Sequence, residues 1–352
     1  MDPKVSVVMA SYNHAEFVRE AIESVLSQSF PDFELVITDD GSQDDTVATI
    51  RGISDARIRF HAFGENQGAC DAINNAIVRS RGELIAVLNS DDYFLPNKLA
   101  LQLEFLRAHP SVGAVFGLPR IVDEKGHDLT ESGHPFAKVF TKENRTRVAW
   151  LRHFFESGNC LCHPTLMVRR GCYDKVGLYD PLLMNLPDFD MWVRMCQFFD
   201  IHVMPEHLIG FRVLAHERNT SAPSAPNLAR AAWETTHVLG HFSVLPEAEL
   251  GEIIAPWPQH EFSREPLVTL ALAALRIGRP GYDQFGLGLL RECIARDRQS
   301  FPVKEYFRLV GEHDPAGSRL ARLDRSARES PTRFSRVRSL LARLGTRRKP
   351  RE

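Results

Sequence analysis

The stretch "KVSVVMASYNHAEFVREAIESVLSQSFPDFELVITD", residues 4–39, decides the architecture. It opens on a β-branched apolar run and closes, over residues 33–39, on a second run of strand length. Between them Phe17, Val18, Ala21, Ile22, Val25 and Leu26 recur at the spacing of one helix face. Two strands joined by a single helix cross over right-handed into a parallel sheet. The alternation continues outward. "SQDDTVATIRGI" predicts a helix with Ser42 as its N-cap, "RIRFHAF" a third strand, "GACDAINNAIVRS" a third helix and "ELIAVLN" a fourth strand. The expected fold class is α/β, a doubly wound, mostly parallel sheet. Further on, "VGAVFGLPRIVDEKG" reads as a strand with a hairpin arm and "HPTLMVRRGCYDKVG" as a strand entering a short helix. "LPDFDMWVRMCQFF" reads as an acidic turn entering an amphipathic helix, and "DIHVMP" and "LIGFRVL" as two separate strands. From Asn227 to about Val310 the pattern is helical, and no internal repeat interrupts it. The predicted organisation is a first body over 1–220, a helical extension over 221–315 and a basic tail over 316–352.

Sheets of this kind bind ligands at the carboxyl ends of their strands. Those ends carry Ala10-Ser11-Tyr12-Asn13, Asp39-Asp40-Gly41-Ser42, Asn66-Gln67-Gly68 and Asn89-Ser90-Asp91-Asp92. Taken alone, Asp91 and Asp92 also suit a turn ahead of a helix opened by Pro96. Small, polar and acidic groups at four consecutive strand ends favour a ligand site instead. No GxGxxG follows the first strand and no GxxxxGK[ST] occurs anywhere, so neither a dinucleotide fingerprint nor a P-loop is present. Carboxylates meet a phosphate through a divalent cation, and Mg²⁺ or Mn²⁺ prefers their oxygens. Asp91 and Asp92 therefore predict a cation clamp for a nucleotide diphosphate. Asp40 suits a base N–H or a ribose hydroxyl, and Tyr12 suits stacking on a base.

The segments from Val5 to Thr46, "NQGACDAINNAI", "GELIAVLNSDDYFLPNKL" and "PDFDMWVRM" together resemble glycosyltransferase family 2, over roughly residues 4–220. The resemblance implies a GT-A fold, a nucleotide-diphosphate-sugar donor (UDP-linked), Mn²⁺ or Mg²⁺, and transfer with inversion to a hydroxyl of a glycan or lipid-linked acceptor. By position it puts Ala10, Tyr12 and Asp40 in the nucleoside pocket, Asp91 at the ribose and Asp92 at the metal. Asp188 takes the general-base position, and in "FRVLAHERNTS" Arg212 or His216 approaches the diphosphate, with His216 also a candidate metal ligand. Four positions depart from the family pattern. Asn89 replaces the first acid of D-x-D, Pro187 the acid before the base, Ala10 a frequent Pro or Thr, and Ile73 a frequent arginine. No QxxRW follows, which argues against a processive synthase. Two other classes share part of this pattern: a catalytically silent nucleotide-sugar-binding or scaffold protein, and a nucleotidyltransferase. The latter needs an early Gly-rich basic loop, and "ASYNHAEF" is not one.

The 352 residues are 43% hydrophobic and 25% charged, ordinary for a globular protein. The longest apolar stretch, Leu267 to Leu275, is too short to span a bilayer, and no signal peptide is read at the N-terminus. The six cysteines form neither a disulfide framework nor a zinc pattern, so reduced thiols are expected. The net charge of −2 hides an asymmetry, because residues 316–352 carry an excess of +9. The other 315 residues are therefore at −11, an acidic body with a basic tail. In that tail Phe334, Val337, Leu340, Leu341 and Leu344 make one helical stripe flanked by arginines, which suits an anionic membrane surface. With no aromatic platform beside the arginines, nucleic acid is not expected as a partner. The expected location is cytoplasmic, peripheral on the inner face of the membrane.

Overall fold

The computed structural model describes residues 2–140, 143–214, 225–258 and 263–313. In chain order the elements are β1 (Val5–Ser11), α1 (Val18–Leu26), β2 (Phe33–Asp39), α2 (Thr46–Arg51), β3 (Ile58–Ala62), α3 (Ala69–Arg79) and β4 (Leu84–Asn89). There follow β5 (Tyr93–Phe94), α4 (Lys98–Ala108), β6 (Val112–Val122), α5 (Pro135–Val139), α6 (Arg147–Ser157), β7 (Met167–Arg169), α7 (Arg170–Val176), α8 (Pro187–Cys196) and β8 (Asp200–Arg212). The helices α9 (Ala225–Gly240), α10 (Glu247–Ile254), α11 (Pro266–Ile277), α12 (Tyr282–Arg296) and α13 (Val303–His313) complete it.

One eight-stranded sheet runs in the order β3-β2-β1-β4-β7-β6-β8-β5. β1 pairs in parallel with β2 and β4, β2 with β3, and β6 with β8. β7 runs antiparallel to both β4 and β6, and β5 antiparallel to β8. The α/β, mostly parallel expectation thus holds, with β7 as the reversed strand that joins two parallel groups. Helix α1 buries Val18, Ala21, Ile22 and Val25, the i, i+3, i+4, i+7 face. They share one apolar cluster with Val5, Val7 and Met9 of β1 and Leu35 and Ile37 of β2. Each such buried aliphatic side chain contributes about 1.5–3 kcal/mol, which fixes β1 and β2 and so the loops at their carboxyl ends.

Two local expectations are corrected. Helix α2 starts at Thr46, not at Ser42, because Asp39 captures both the amide and the hydroxyl of Ser42 in the preceding turn. The two strands expected over 200–205 and 208–214 are one strand, β8. Pro205 falls in a register irregularity between the pairs Phe116–Val203 and Leu118–His207, where its missing N–H costs no ladder bond.

The chain divides into two compact units, Met1–Pro256 and a second beginning at Trp257. Helices α9 and α10 therefore group with the sheet, and α11 to α13 form the second unit. The basic tail lies outside the described residues. No helix among the described residues is long and apolar enough to cross a membrane.

Candidate active site

The loops after β1 and β2 are tied to one another by short polar side chains. Asp39, fully buried, accepts from the Ser11 hydroxyl at 2.8 Å and from the Ser42 amide and hydroxyl at 2.8 and 2.6 Å. Asn13 sits at φ 51°, a left-handed conformation that Asn tolerates, and its side-chain oxygen accepts the Gln43 amide at 2.8 Å. Ala10 lies between Thr38 and Asn89 in the paired strands, and Tyr12 stands 42% exposed beyond it.

Asp40 is committed in a way the sequence does not disclose. One of its oxygens accepts the Gln67 amide at 2.7 Å, and the other accepts the Asn66 side chain at 2.9 Å and the Gly68 amide at 3.0 Å. Burial raises its pKa, and the two backbone donors work against that rise. The adjoining Gly41, at φ +72°, packs so closely that a Cβ there would meet the Glu65 carbonyl carbon at 2.5 Å. Asp40 therefore holds the 66–68 loop against the end of β2, and Tyr12 is the open group beside it.

At the end of β4 neither aspartate caps a helix, since α4 begins at Lys98 with Asn97 before it. The two acids differ sharply. Asp92 is 2% exposed, and both of its oxygens accept a hydrogen bond, one from the Arg212 amide at 2.7 Å and one from the Asn89 side-chain amide at 3.0 Å. Burial, and then the neighbouring Asp91 charge, push its pKa well up. Asp91 is half-buried, and its carboxylate accepts no side-chain hydrogen bond among the described residues. Burial raises its pKa too, while His14 and Arg212 pull it down. The Ser90 hydroxyl meets His14 Nδ1 at 2.8 Å, which ties this turn to the loop after β1. Asp92, the expected metal ligand, keeps a lone pair on each oxygen beyond its hydrogen bonds from Arg212 and Asn89, and Asp91 beside it is the more exposed of the two acids. Asn89, in place of an acid, supplies the amide that donates to Asp92.

Arg212 does not reach outward. Its Nε donates to the Asp91 carbonyl at 2.8 Å, one Nη to the Glu124 carbonyl at 2.9 Å and the other to Glu20 at 2.6 Å. Its guanidinium also lies over the Phe17 ring at 4.8 Å. It is a buried tie between β8 and the acidic turn. His216 lies outside the described residues.

Asp188 enters in the first turn of α8, behind Pro187. Asn159 donates to its Oδ2 at 2.7 Å and the Phe189 amide to its Oδ1 at 2.7 Å. Burial lifts its pKa from the ordinary 3.8 to about 6, against both of those hydrogen bonds. The loop ahead of it is clamped by Glu234 of α9, which is fully buried and accepts the amides of Met184, Asn185 and Leu186 at 2.9, 2.8 and 2.7 Å. The buried Cys162 thiol is raised by burial first, then by the charges of both Asp92 and Asp188, so the acidic turn and the α8 acid act on one buried group. Asn159 and Glu234 were not found in the sequence. They are single polar residues with no local motif, brought in by long-range packing.

Residues 6–171 match the family model described as Glycosyl transferase family 2. An uncharacterised glycosyltransferase of Rickettsia typhi is 29% identical over 221 residues, covering 62% of this chain and 66% of its own length. One from Methanocaldococcus jannaschii is 29% identical over 216 residues, covering 60% and 71%. Chondroitin synthase of Escherichia coli is 27% identical over 222 residues, covering 62% of this chain and 30% of its own. The chain thus matches about two thirds of the first and under a third of the last. Among solved structures, residues 1–349 of S. aureus TarS in complex with UDP-GlcNAc superpose with a TM-score of 0.58 at 18% identity, covering 89% of this chain and 92% of that one. That likeness establishes the GT-A fold.

Proposed function

We propose, from the match of residues 6–171 to glycosyltransferase family 2, that the chain is a member of that family and moves a sugar from a nucleotide-diphosphate donor, UDP-linked, to an acceptor hydroxyl with inversion. The observation that carries the proposal is Asp188. It is a half-buried carboxyl with a pKa of about 6, gripped by Asn159 and by its own helix. A general base works best when its pKa lies near the working pH.

The acceptor hydroxyl attacks the anomeric carbon as the bond from that carbon to the diphosphate oxygen breaks. Its proton passes to Asp188, and no covalent enzyme intermediate forms. At the other end, Tyr12 offers a ring for the base, and the 66–68 loop held by Asp40 offers backbone to the nucleoside. Asp91, the more exposed acid of the pair, is the residue that would hold Mn²⁺ or Mg²⁺, with Asp92 beside it fixing the turn. A divalent cation bound there stabilises the charge that develops on the leaving diphosphate. The acceptor is a glycan or lipid-linked hydroxyl, and residues 316–352 supply the contact with an anionic membrane.

The test is an assay of donor cleavage and transfer over a panel of UDP-, GDP- and dTDP-sugars with Mn²⁺, with the product anomer read by NMR. Turnover of one donor class with inverted configuration is expected. Retention of configuration would overturn the base assignment, and calorimetric binding without any turnover would favour a silent nucleotide-sugar-binding protein.

Asp40→Ala is expected to weaken donor binding and also to lower stability by about 1–3 kcal/mol, through the loss of charge-assisted hydrogen bonds to the Gln67 and Gly68 amides. Calorimetry and a denaturant melt read the two effects. Weaker binding at unchanged stability would mean that Asp40 contacts the donor directly and does not act through the loop.

A further inference from the structure

Away from the strand ends, α8 and α9 bring a second set of donor atoms together. His237 lies in the last turn of α9, and His241, four residues on, opens the short 3-10 turn that follows it. One nitrogen of each and an oxygen of Asp190 on α8 all lie within 4.8 Å of one another. His241 Nε2 is 2.7 Å and His237 Nε2 3.9 Å from Asp190 Oδ1. Asp180 Oδ2 lies 3.7 Å from His237 Nε2. A four-coordinate ion with metal–ligand bonds of 2.0–2.2 Å keeps its donor atoms about 3.4 Å apart, so the spacings here bracket what the ion requires. Side-chain adjustments of about 0.5–1.5 Å would bring the three donors to that spacing.

The surroundings are those of a metal ligand set. The second oxygen of Asp190 accepts Arg194 Nε at 2.7 Å, and Arg194 in turn donates to the Val176 and Leu178 carbonyls at 2.6 and 2.9 Å. This orients the carboxylate from behind and leaves one oxygen facing the imidazoles, the role of an outer-shell partner. The Trp233 ring lies nearly parallel to His237, with centroids 6.4 Å apart and planes at 14°. Side-chain exposure rises from 1% at Asp190 through 23% at His241 to 44% at His237, which gives an ion a route from solvent. Two imidazoles with carboxylates select Zn²⁺ over Mg²⁺ or Mn²⁺, which prefer all-oxygen sites.

We propose that Asp190, His237 and His241 form a Zn²⁺ site that pins α9 to α8, with the fourth position left to solvent. The site is separate from the acidic turn at Asp91. An ion there fixes the helix that carries Asp188 relative to the helix whose Glu234 clamps the preceding loop.

The experiment uses the full chain without an affinity tag, stripped with chelator and titrated with Zn²⁺ in a large excess of Mg²⁺. One equivalent bound at micromolar affinity or tighter is expected, and Co²⁺ in its place should show the visible absorption of a four-coordinate ion. His237→Ala, a change at a partly exposed position, should leave the far-UV spectrum of the metal-free protein unchanged. It should weaken Zn²⁺ by more than about 100-fold, beyond the cost of losing an outer-shell partner. His241→Gln should do the same. Absence of stoichiometric binding by the unaltered chain, or undiminished binding by the folded His237→Ala protein, would overturn the site and leave His241 and Asp190 as a simple ion pair.

Discussion

Asp188→Asn is expected to lower the rate of sugar transfer by about 10²–10⁴-fold, the contribution of general-base help at an attacking hydroxyl, while donor affinity stays within a few-fold. The amide keeps the shape of the carboxyl and can still accept from Asn159, so the loss reports proton transfer. The pH profile gives a second reading. Burial sets the Asp188 pKa at about 6, so transfer by the unaltered enzyme should rise with pH around that value and then level off. The same shift carries a cost in stability. Because the folded pKa lies above the ordinary 3.8, the folded protein holds its proton more tightly, and its stability falls as pH rises from about 4 to about 6. Above that range the cost is constant, at most about 3 kcal/mol for a shift of this size. Asp188→Asn should therefore melt at a higher temperature than the unaltered protein at neutral pH. A slow variant that also melts lower would instead mean that Asp188 is needed for folding.

The second large effect is expected at the acidic turn, where the two aspartates should behave differently. Asp91→Asn should reduce transfer by at least about 10²-fold, in line with the loss of several kcal/mol of charge stabilisation, and leave the melting temperature nearly unchanged. Treatment with EDTA should have the same effect on the unaltered enzyme, reversed by adding Mn²⁺. Asp92→Ala removes the acceptor for the Arg212 amide and for Asn89, so it should lower both activity and stability, the latter by about 1–3 kcal/mol. Full turnover in EDTA would end the metal assignment. A stable Asp92→Ala protein with normal Asp91-dependent activity would end the division of labour between the pair.

The first four strands and their helices are legible in the sequence because period-2 and period-3.6 signals are local. The direction in which β7 enters the sheet is not, since its three residues carry no mark of parallel or antiparallel pairing. The same limit applies to the site. Asp40, Asp91, Asp92 and Asp188 all stand out as acids at strand or helix ends, but a sequence does not say whose oxygens are already engaged. Asp40 and Asp92 accept from backbone amides and from the side chains of Asn66 and Asn89, and Asp91 accepts from no other side chain among the described residues. Asn89 looks like a lost acid until its amide is seen donating to Asp92. The His-x-x-x-His spacing in "HVLGH" was open to inspection, but its carboxylate partner lies 47 residues upstream, at Asp190, and only packing joins them.

Glu234 sets the size of the piece that can be inherited or exchanged as a whole. The family model ends at residue 171 and the curated relatives match about 60% of the chain, which invites a view of the later helices as interchangeable cargo. A cut there would strip the acceptor from three amides of the 184–186 loop in one step, each a charge-assisted hydrogen bond worth about 1–3 kcal/mol. The smallest portable catalytic piece therefore runs past α9, close to the Pro256 boundary. A chimaera that takes a foreign segment after β8 must bring its own carboxylate to that loop, or the base will arrive on a helix with nothing holding its approach.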